Sequence, residues 1–206
     1  SLIGFAGAPW TLYRYMSGNV LAGNIDEFDG AYMMTRLVDY IVEHLSQQIK
    51  AGCDTVQVFD SWASDLGEEH IIPYCYEPTA QIVERLRALH PDVGIIVFPR
   101  LIGEEINNFS KYVNADCISL SDDMKTDWIL KRMGHQCLQG GIPPQVLLSE
   151  HREDILRGTV PMIRQMKDCA YVVNLAHGIN KETPVENVRF FIEIVKRNRE
   201  NITRET

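Results

Sequence analysis

Short apolar runs and longer segments of helical periodicity alternate along the whole chain. Mainly apolar runs bounded by turn signals predict strands at 2–5, 56–59, 95–98, 117–120, 137–139 and 171–175. A segment with helical character separates each predicted strand from the next. This alternation predicts a parallel sheet flanked by helices, which is an α/β fold.

Between the strands, apolar residues recur at three- and four-residue spacing, which predicts helices. Pro9 suits the first turn of a helix because the missing N–H costs little there. Gly158 and Pro161 predict a bend or an interruption in one of the later helices. Residues 17–23, rich in Gly and Asn, are predicted to form a loop. The helices are predicted to start at 9 and 184, to run over 26–50, 78–89, 124–133 and 149–167, and to include a short one around 106–109.

The order of elements favours a barrel over a doubly wound nucleotide-binding fold. Neither a Gly-x-Gly-x-x-Gly turn nor a Gly-Lys-Ser/Thr loop follows any predicted strand. A closed (β/α)8 barrel usually needs about 250 residues, and this chain has 206. We therefore expect residues 1–206 to form a single TIM-type barrel domain of roughly the last six βα units, with the first two units and one wall of the site missing.

Composition narrows the class of protein. The formal net charge of −8 argues against a nucleic-acid surface but permits an anionic small molecule, since a few cationic groups can reverse the potential of a cleft. The five cysteines are widely spaced and are expected to be reduced. The chain contains neither an apolar run long enough to span a bilayer nor a signal-peptide pattern at its start, so a cytoplasmic address without membrane contact is expected.

Residues just past the strand ends are the candidates for chemistry, because barrels hold their ligands there. His177 is bracketed by small residues, so its ring could meet a ligand, or it could simply bond a neighbouring carbonyl. Asp60 and Ser61 are also common turn residues. Tyr15, on the first helix, could reach back over the strand end or be a packed aromatic.

Arg100 follows the third predicted strand and has two possible roles. It could bind an acid group of a ligand, or it could pair with Glu104 or Glu105.

Several strand ends together resemble uroporphyrinogen decarboxylase, a family of the haem pathway. The matching runs are spread over nearly the whole chain in the family's order, and in that family the first of them is an interior strand. They are Gly4-Phe5-Ala6-Gly7-Ala8-Pro9-Trp10-Thr11-Leu12 with Tyr15-Met16, Phe59-Asp60-Ser61-Trp62-Ala63, Ile96-Val97-Phe98-Pro99-Arg100, Leu138-Gln139-Gly140 and Asn174-Leu175-x-His177-Gly178.

The resemblance implies an eight-stranded α/β barrel that acts as a homodimer without metal or organic cofactor. It implies removal of carbon dioxide from the four acetate side chains of uroporphyrinogen III to give coproporphyrinogen III. Tyr15, Ser61 and His177 fall at the positions that contact the carboxylates of this tetrapyrrole. The family's paired arginines and its pyrrole-binding aspartate have no match in this chain, so we expect no catalytic residue here and no activity from these residues alone.

The chain departs from the family at four places. Ser64 and Ala176 stand where the family usually has glycine, Ser121-Asp122 replaces Asp-Trp, and residues 140–143 depart from Gly-Asn-Leu-Asp. The last two changes fall in loops near the mouth of the barrel and bear on how the substrate fits.

Two alternatives stay open at this point. Cobalamin-dependent methyltransferases of the same superfamily share the barrel, but they bind zinc through thiols that are absent from 98–100 and 175–177 here. The second alternative is a non-catalytic fragment or pseudoenzyme that packs against a partner. Such an incomplete barrel is expected to expose apolar faces and to be poorly soluble.

Overall fold

The computed structural model describes residues 1–18, 24 and 27–205, and side chains for these except 27, 28 and 199–205. Most of the loop predicted at 17–23, and the helix start predicted at 26, lie outside the described residues. The chain divides into two compact units, Ser1–Ile118 and Ser119–Thr206.

The strands of the first unit are parallel neighbours in chain order. Strand β1 (Ile3–Gly7) pairs with β2 (Thr55–Asp60), β2 with β3 (Gly94–Pro99), and β3 with β4 (Cys117–Leu120), which ends two residues past the boundary of the unit. The registers place Phe5 opposite Gln57 and Phe59 opposite Phe98. The carboxyl ends of β1, β2 and β3 therefore lie along one edge of the sheet.

The helices of the first unit are α1 (Pro9–Met16), α2 (Glu27–Lys50), α3 (Glu68–Ile71), α4 (Glu77–Leu89) and α5 (Ile106–Val113). Helix α1 starts at Pro9, as predicted. The segment between β2 and α4 contains a 3-10 turn at 63–65, α3 and a π-helical stretch at 72–76 that leads into α4. The π-helical stretch buries Tyr74, Cys75 and Tyr76.

The second unit contains strands β5 (Cys137–Gly140) and β6 (Tyr171–Val172), which are parallel, and helices α6 (Thr126–Met133), α7 (Arg152–Gln165) and α8 (Val185–Glu205). Helix α7 is continuous through Pro161, so the predicted interruption is wrong. Gly158 lets α7 lie against the 144–148 turn, because an added Cβ would come within 2.5 Å of Val146. The core of this unit is built on Leu147, Ile155, Ile163 and Ile194.

The alternation of parallel strands and helices confirms the predicted α/β fold. The six strands found in the described residues match the number expected for six units of a (β/α)8 barrel. That residues 1–206 form one barrel domain stays a prediction. Within the described residues, every helix is too short or too polar to cross a membrane.

The predicted exposure of apolar strand faces is found on β1. Leu2, Ile3 and Phe5 are all exposed, and the Phe5 side chain is the most exposed of the three. The α2-facing side of the same strand is well packed, with Ala6 buried. One face of β1 is therefore in contact with solvent.

Candidate functional site

The first candidate site lies where β1 and β2 end and α1 begins. The Ala8 N–H donates to the Phe59 carbonyl at 2.8 Å, which holds the start of α1 beside the end of β2. Gly7 leaves room for the Leu12 side chain of α1, because a Cβ at this position would come within 2.9 Å of it. Small residues at this turn thus bring a helix directly onto the strand ends.

Thr11 links α1 to the turn that follows β2. Its hydroxyl donates to Asp60 Oδ1 at 2.8 Å and accepts the Trp62 N–H at 3.3 Å. The Trp10 indole N–H adds a third bond, to the Trp62 carbonyl at 3.0 Å. Asp60 is almost fully buried, so its hydrogen bond from Thr11 forms in a low-dielectric environment where it is strong.

Burial changes the acid–base behaviour of this cluster. Burial raises the pKa of Asp60 from its usual 3.8 to about 6, and the Thr11 hydrogen bond opposes part of that rise. Burial also raises the pKa of the Cys75 thiol well above its usual value, and the neighbouring Asp60 carboxylate adds to the effect. Cys75 is thus an inert, protonated thiol next to a carboxyl group that changes charge near pH 6.

Tyr15 and the segment that carries Ser61 are brought together. Tyr15 is exposed, with 60% of its surface accessible, and its ring meets the Trp62 ring edge-on, with 6.3 Å between the ring centres. Ser61 lies between Asp60 and Trp62 and is half-buried. Two of the three predicted site residues therefore belong to one strand-end cluster.

His177 lies in the second unit, beyond β6. Its Nδ1 is 3.0 Å from the carbonyl of Gly178. Because a carbonyl can only accept, Nδ1 must carry the proton, and Nε2 of the neutral ring can then only accept. The local carbonyl bond, one of the two roles considered for this residue, is present, and Nε2 could donate to a ligand acid group only when the ring is protonated.

Glycine and backbone groups build the strand ends around β5. Gly140 and Gly141 have φ values of 82° and 88°, in the left-handed region that favours glycine. The Tyr171 hydroxyl donates to the Gly140 carbonyl at 2.8 Å, and burial raises the pKa of this phenol. Ala176, which replaces a family glycine, is buried and donates its N–H to the Ile142 carbonyl at 2.7 Å.

The pairing considered for Arg100 is not found among the described residues. The Glu105 carboxylate instead accepts hydrogen bonds from the Tyr76 hydroxyl at 3.0 Å and from the Asn108 amide at 3.2 Å. Arg100 is half-buried, and its backbone N–H donates to the Asp60 carbonyl at 3.0 Å. Its side chain is therefore not held by Glu105.

Sequence patterns alone missed Thr11, Arg14 and Asp65. Thr11 lies one helical turn before Tyr15, which is a weak signal that both face the strand end. Arg14 and Asp65 carried no signal, because their pairing depends on residues 51 positions apart. Among the described residues, His, Cys, Asp and Glu side chains do not gather in groups of three or more that could hold a metal ion.

Comparisons with known proteins find similarity to one family over almost the whole chain. The family model for uroporphyrinogen decarboxylase (URO-D) matches residues 1–198. The chain is 33% identical over 208 residues to the uroporphyrinogen decarboxylase of Orientia tsutsugamushi (strain Boryong), and 32% identical over 208 residues to that of Paracoccus denitrificans. Each alignment covers 95% of this chain and 60% of the relative, so the chain spans about three fifths of the length of these proteins.

Proposed function

Because the chain belongs to the uroporphyrinogen decarboxylase family, we propose that the protein carrying it converts uroporphyrinogen III to coproporphyrinogen III with loss of four carbon dioxide molecules. The observation that carries this proposal is the match of the family model to residues 1–198, which includes the strand-end cluster of Tyr15 and Ser61. The relatives named decarboxylases favour this activity over the methyltransferase alternative.

Each decarboxylation consumes one proton. Protonation of the electron-rich pyrrole gives a cationic ring, which accepts the electron pair of the breaking bond between the methylene and the carboxylate. Carbon dioxide leaves, the methylene carbon takes up a proton to become methyl, and the ring returns its own proton. Because the substrate ring serves as the electron sink, the reaction needs no cofactor.

The role proposed for this chain is to hold the substrate's carboxylates. The hydroxyl groups of Tyr15 and Ser61 can donate hydrogen bonds to a carboxylate, and protonated His177 can donate through Nε2. Donors of this kind orient a polyanion and exclude other binding poses. The groups that protonate the pyrrole and stabilise its positive charge are assigned to the part of the family that this chain does not match.

The same family resemblance leads us to propose a cytoplasmic homodimer. Light scattering coupled to size-exclusion chromatography tests the dimer for the chain extended by any coding sequence upstream of Ser1. A monomeric mass for that extended protein at micromolar concentration would contradict it.

The activity is tested with uroporphyrinogen III, prepared by reduction of uroporphyrin III and kept anaerobic and dark. Chromatography of the oxidised products separates porphyrins with eight to four carboxylates. We expect the extended protein to yield the four-carboxylate product and the 206 residues alone to yield none. Failure of the extended protein overturns the proposed function, and turnover by the 206 residues alone overturns the assignment of catalysis to the unmatched part.

A further inference from the structure

Arg14 is buried in the strand-end cluster, directly beside the exposed Tyr15. Only 6% of its side-chain surface is accessible, and its Nη1 donates to Asp65 Oδ2 at 2.7 Å. The guanidinium carbon lies 4.7 Å from the centre of the Trp62 ring and 5.9 Å from that of Trp10. A cation at these distances over an indole is attracted to the face of the ring.

Both the ring and the backbone of Trp62 are thereby held by neighbours. The Arg14 guanidinium covers its ring, while the Tyr15 ring meets it edge-on at 81°. Its backbone N–H and carbonyl bond to Thr11 and Trp10. Because Ser61 is joined to Trp62 by a peptide bond, anything that fixes Trp62 also restricts Ser61.

Arg14 is a costly way to fill this space. Its Nε is buried without a hydrogen-bond partner in the part of the chain that the structure describes. A buried ion pair often stabilises a fold no better than an apolar pair of similar volume, whereas it can specify one geometry among several. Arg14 is therefore expected to fix the geometry of its neighbours and to add little to the stability of the fold.

We infer that Arg14 is a positioning residue: its guanidinium fixes the Trp62 ring and, through it, the placement of Ser61 relative to Tyr15. The inference rests on the proposed function only in taking Tyr15 and Ser61 as ligands of substrate carboxylates. Arg14 itself is too buried to touch a substrate in this arrangement.

The test uses the 206-residue chain labelled with 5-fluorotryptophan, which gives one fluorine resonance for each of its three tryptophans. Substitution of each Trp by Phe assigns the resonances. In Arg14→Met, which keeps the volume but removes the cation, we expect the Trp62 resonance to broaden or double as the ring samples more than one orientation. The Trp128 resonance, on α6, should stay narrow.

Arg36→Met is the matched control. Arg36 also lies over an aromatic ring, with 5.7 Å to Tyr40, and it faces Asp39 at 3.6 Å, but it is exposed on α2. It should leave the Trp62 resonance unchanged. A Trp62 resonance that stays single and narrow in Arg14→Met, whether or not it shifts, overturns the inference.

If Arg14→Met does not fold, Arg14→Gln decides. This variant removes the guanidinium but keeps a side-chain amide that can donate to Asp65, so a broadened or doubled Trp62 resonance supports the inference and an unchanged one overturns it.

A titration of the upstream-extended protein with uroporphyrin I tests whether the position of Trp62 affects binding. Binding is followed by quenching of tryptophan fluorescence. In protein that binds the porphyrin, Arg14→Met should bind it roughly tenfold more weakly, as expected when a binding group is misplaced. Equal affinity of the two proteins overturns the positioning role. If even the upstream-extended protein without the substitution does not bind, the proposed function fails, while the fluorine resonance still decides whether Arg14 positions Trp62.

Discussion

The strand ends of the two units are built in different ways. In the first unit, hydrogen bonds among Asp60, Thr11 and Trp62 hold the strand ends in place. In the second unit, the left-handed backbone conformations of Gly140 and Gly141 shape the strand end. A site made of buried polar side chains responds to pH and to loss of a hydroxyl, whereas one made of backbone conformation responds to an added Cβ.

The largest expected effect is a pH dependence of stability that comes from Asp60. Burial raises its folded pKa to about 6 from 3.8, so the folded state binds the proton more tightly. The stabilisation is therefore complete below pH 3.8 and is lost as the pH rises to about 6. This rise in the pKa of Asp60 corresponds to a stabilisation of roughly 3 kcal/mol.

Asp60→Asn removes this titration while it retains an acceptor for Thr11. Urea unfolding of both proteins from pH 4 to pH 8 should show Asp60→Asn gaining on the parent as the pH rises, with most of the gain below pH 7. A constant difference between the two proteins over that range would contradict the burial argument.

The next effect tests the backbone-built strand end. Gly140→Ala should lower the free energy of unfolding by about 2 kcal/mol, because alanine is strained at positive φ. Its Cβ would also lie only 3.2 Å from the Leu175 carbonyl oxygen. Gly178→Ala is the control, since its Cβ would meet no atom within 4 Å. Urea unfolding at pH 7 measures both, and equal losses would refute the claim.

A smaller effect isolates the Thr11 hydroxyl. Thr11→Val keeps the shape but leaves Asp60 without its donor, which should cost about 1.5 kcal/mol when the carboxylate is ionised and less when it is neutral. We therefore expect a larger loss of unfolding free energy at pH 8 than at pH 5. Thr35→Val removes an exposed hydroxyl that donates to the Ala31 carbonyl within α2, so it should change little at either pH. A pH-independent loss in Thr11→Val would contradict the coupling to Asp60.

Local apolar pattern predicted the strands well because strands in this fold are short and buried. The run 95–98 lies inside β3, and 56–59 lies inside β2. The prediction is less accurate at β6, which ends at Val172 although the predicted strand runs to Leu175. The Asn174 side chain accepts the Leu175 N–H at 2.8 Å, and this local bond competes with strand pairing.

The interior of the site could not be predicted from local pattern. Arginine near the end of an eight-residue helix is ordinarily a solvated residue that favours the helix dipole. Arg14 is buried only because Trp62 and Asp65, about fifty positions away, meet it in the fold. The raised pKa of Asp60 likewise follows from long-range packing, whereas Tyr15 and Ser61 could be proposed because a family motif carries them.

The most direct test of the account is the turnover of uroporphyrinogen III by the upstream-extended protein with Tyr15→Phe, compared with Tyr32→Phe. Tyr32 is an exposed tyrosine on α2. We predict that kcat/KM falls roughly tenfold in Tyr15→Phe, as for one lost charge-assisted hydrogen bond, and stays at the parent value in Tyr32→Phe. An unchanged kcat/KM in Tyr15→Phe would contradict the claim that this strand-end cluster holds the substrate's carboxylates.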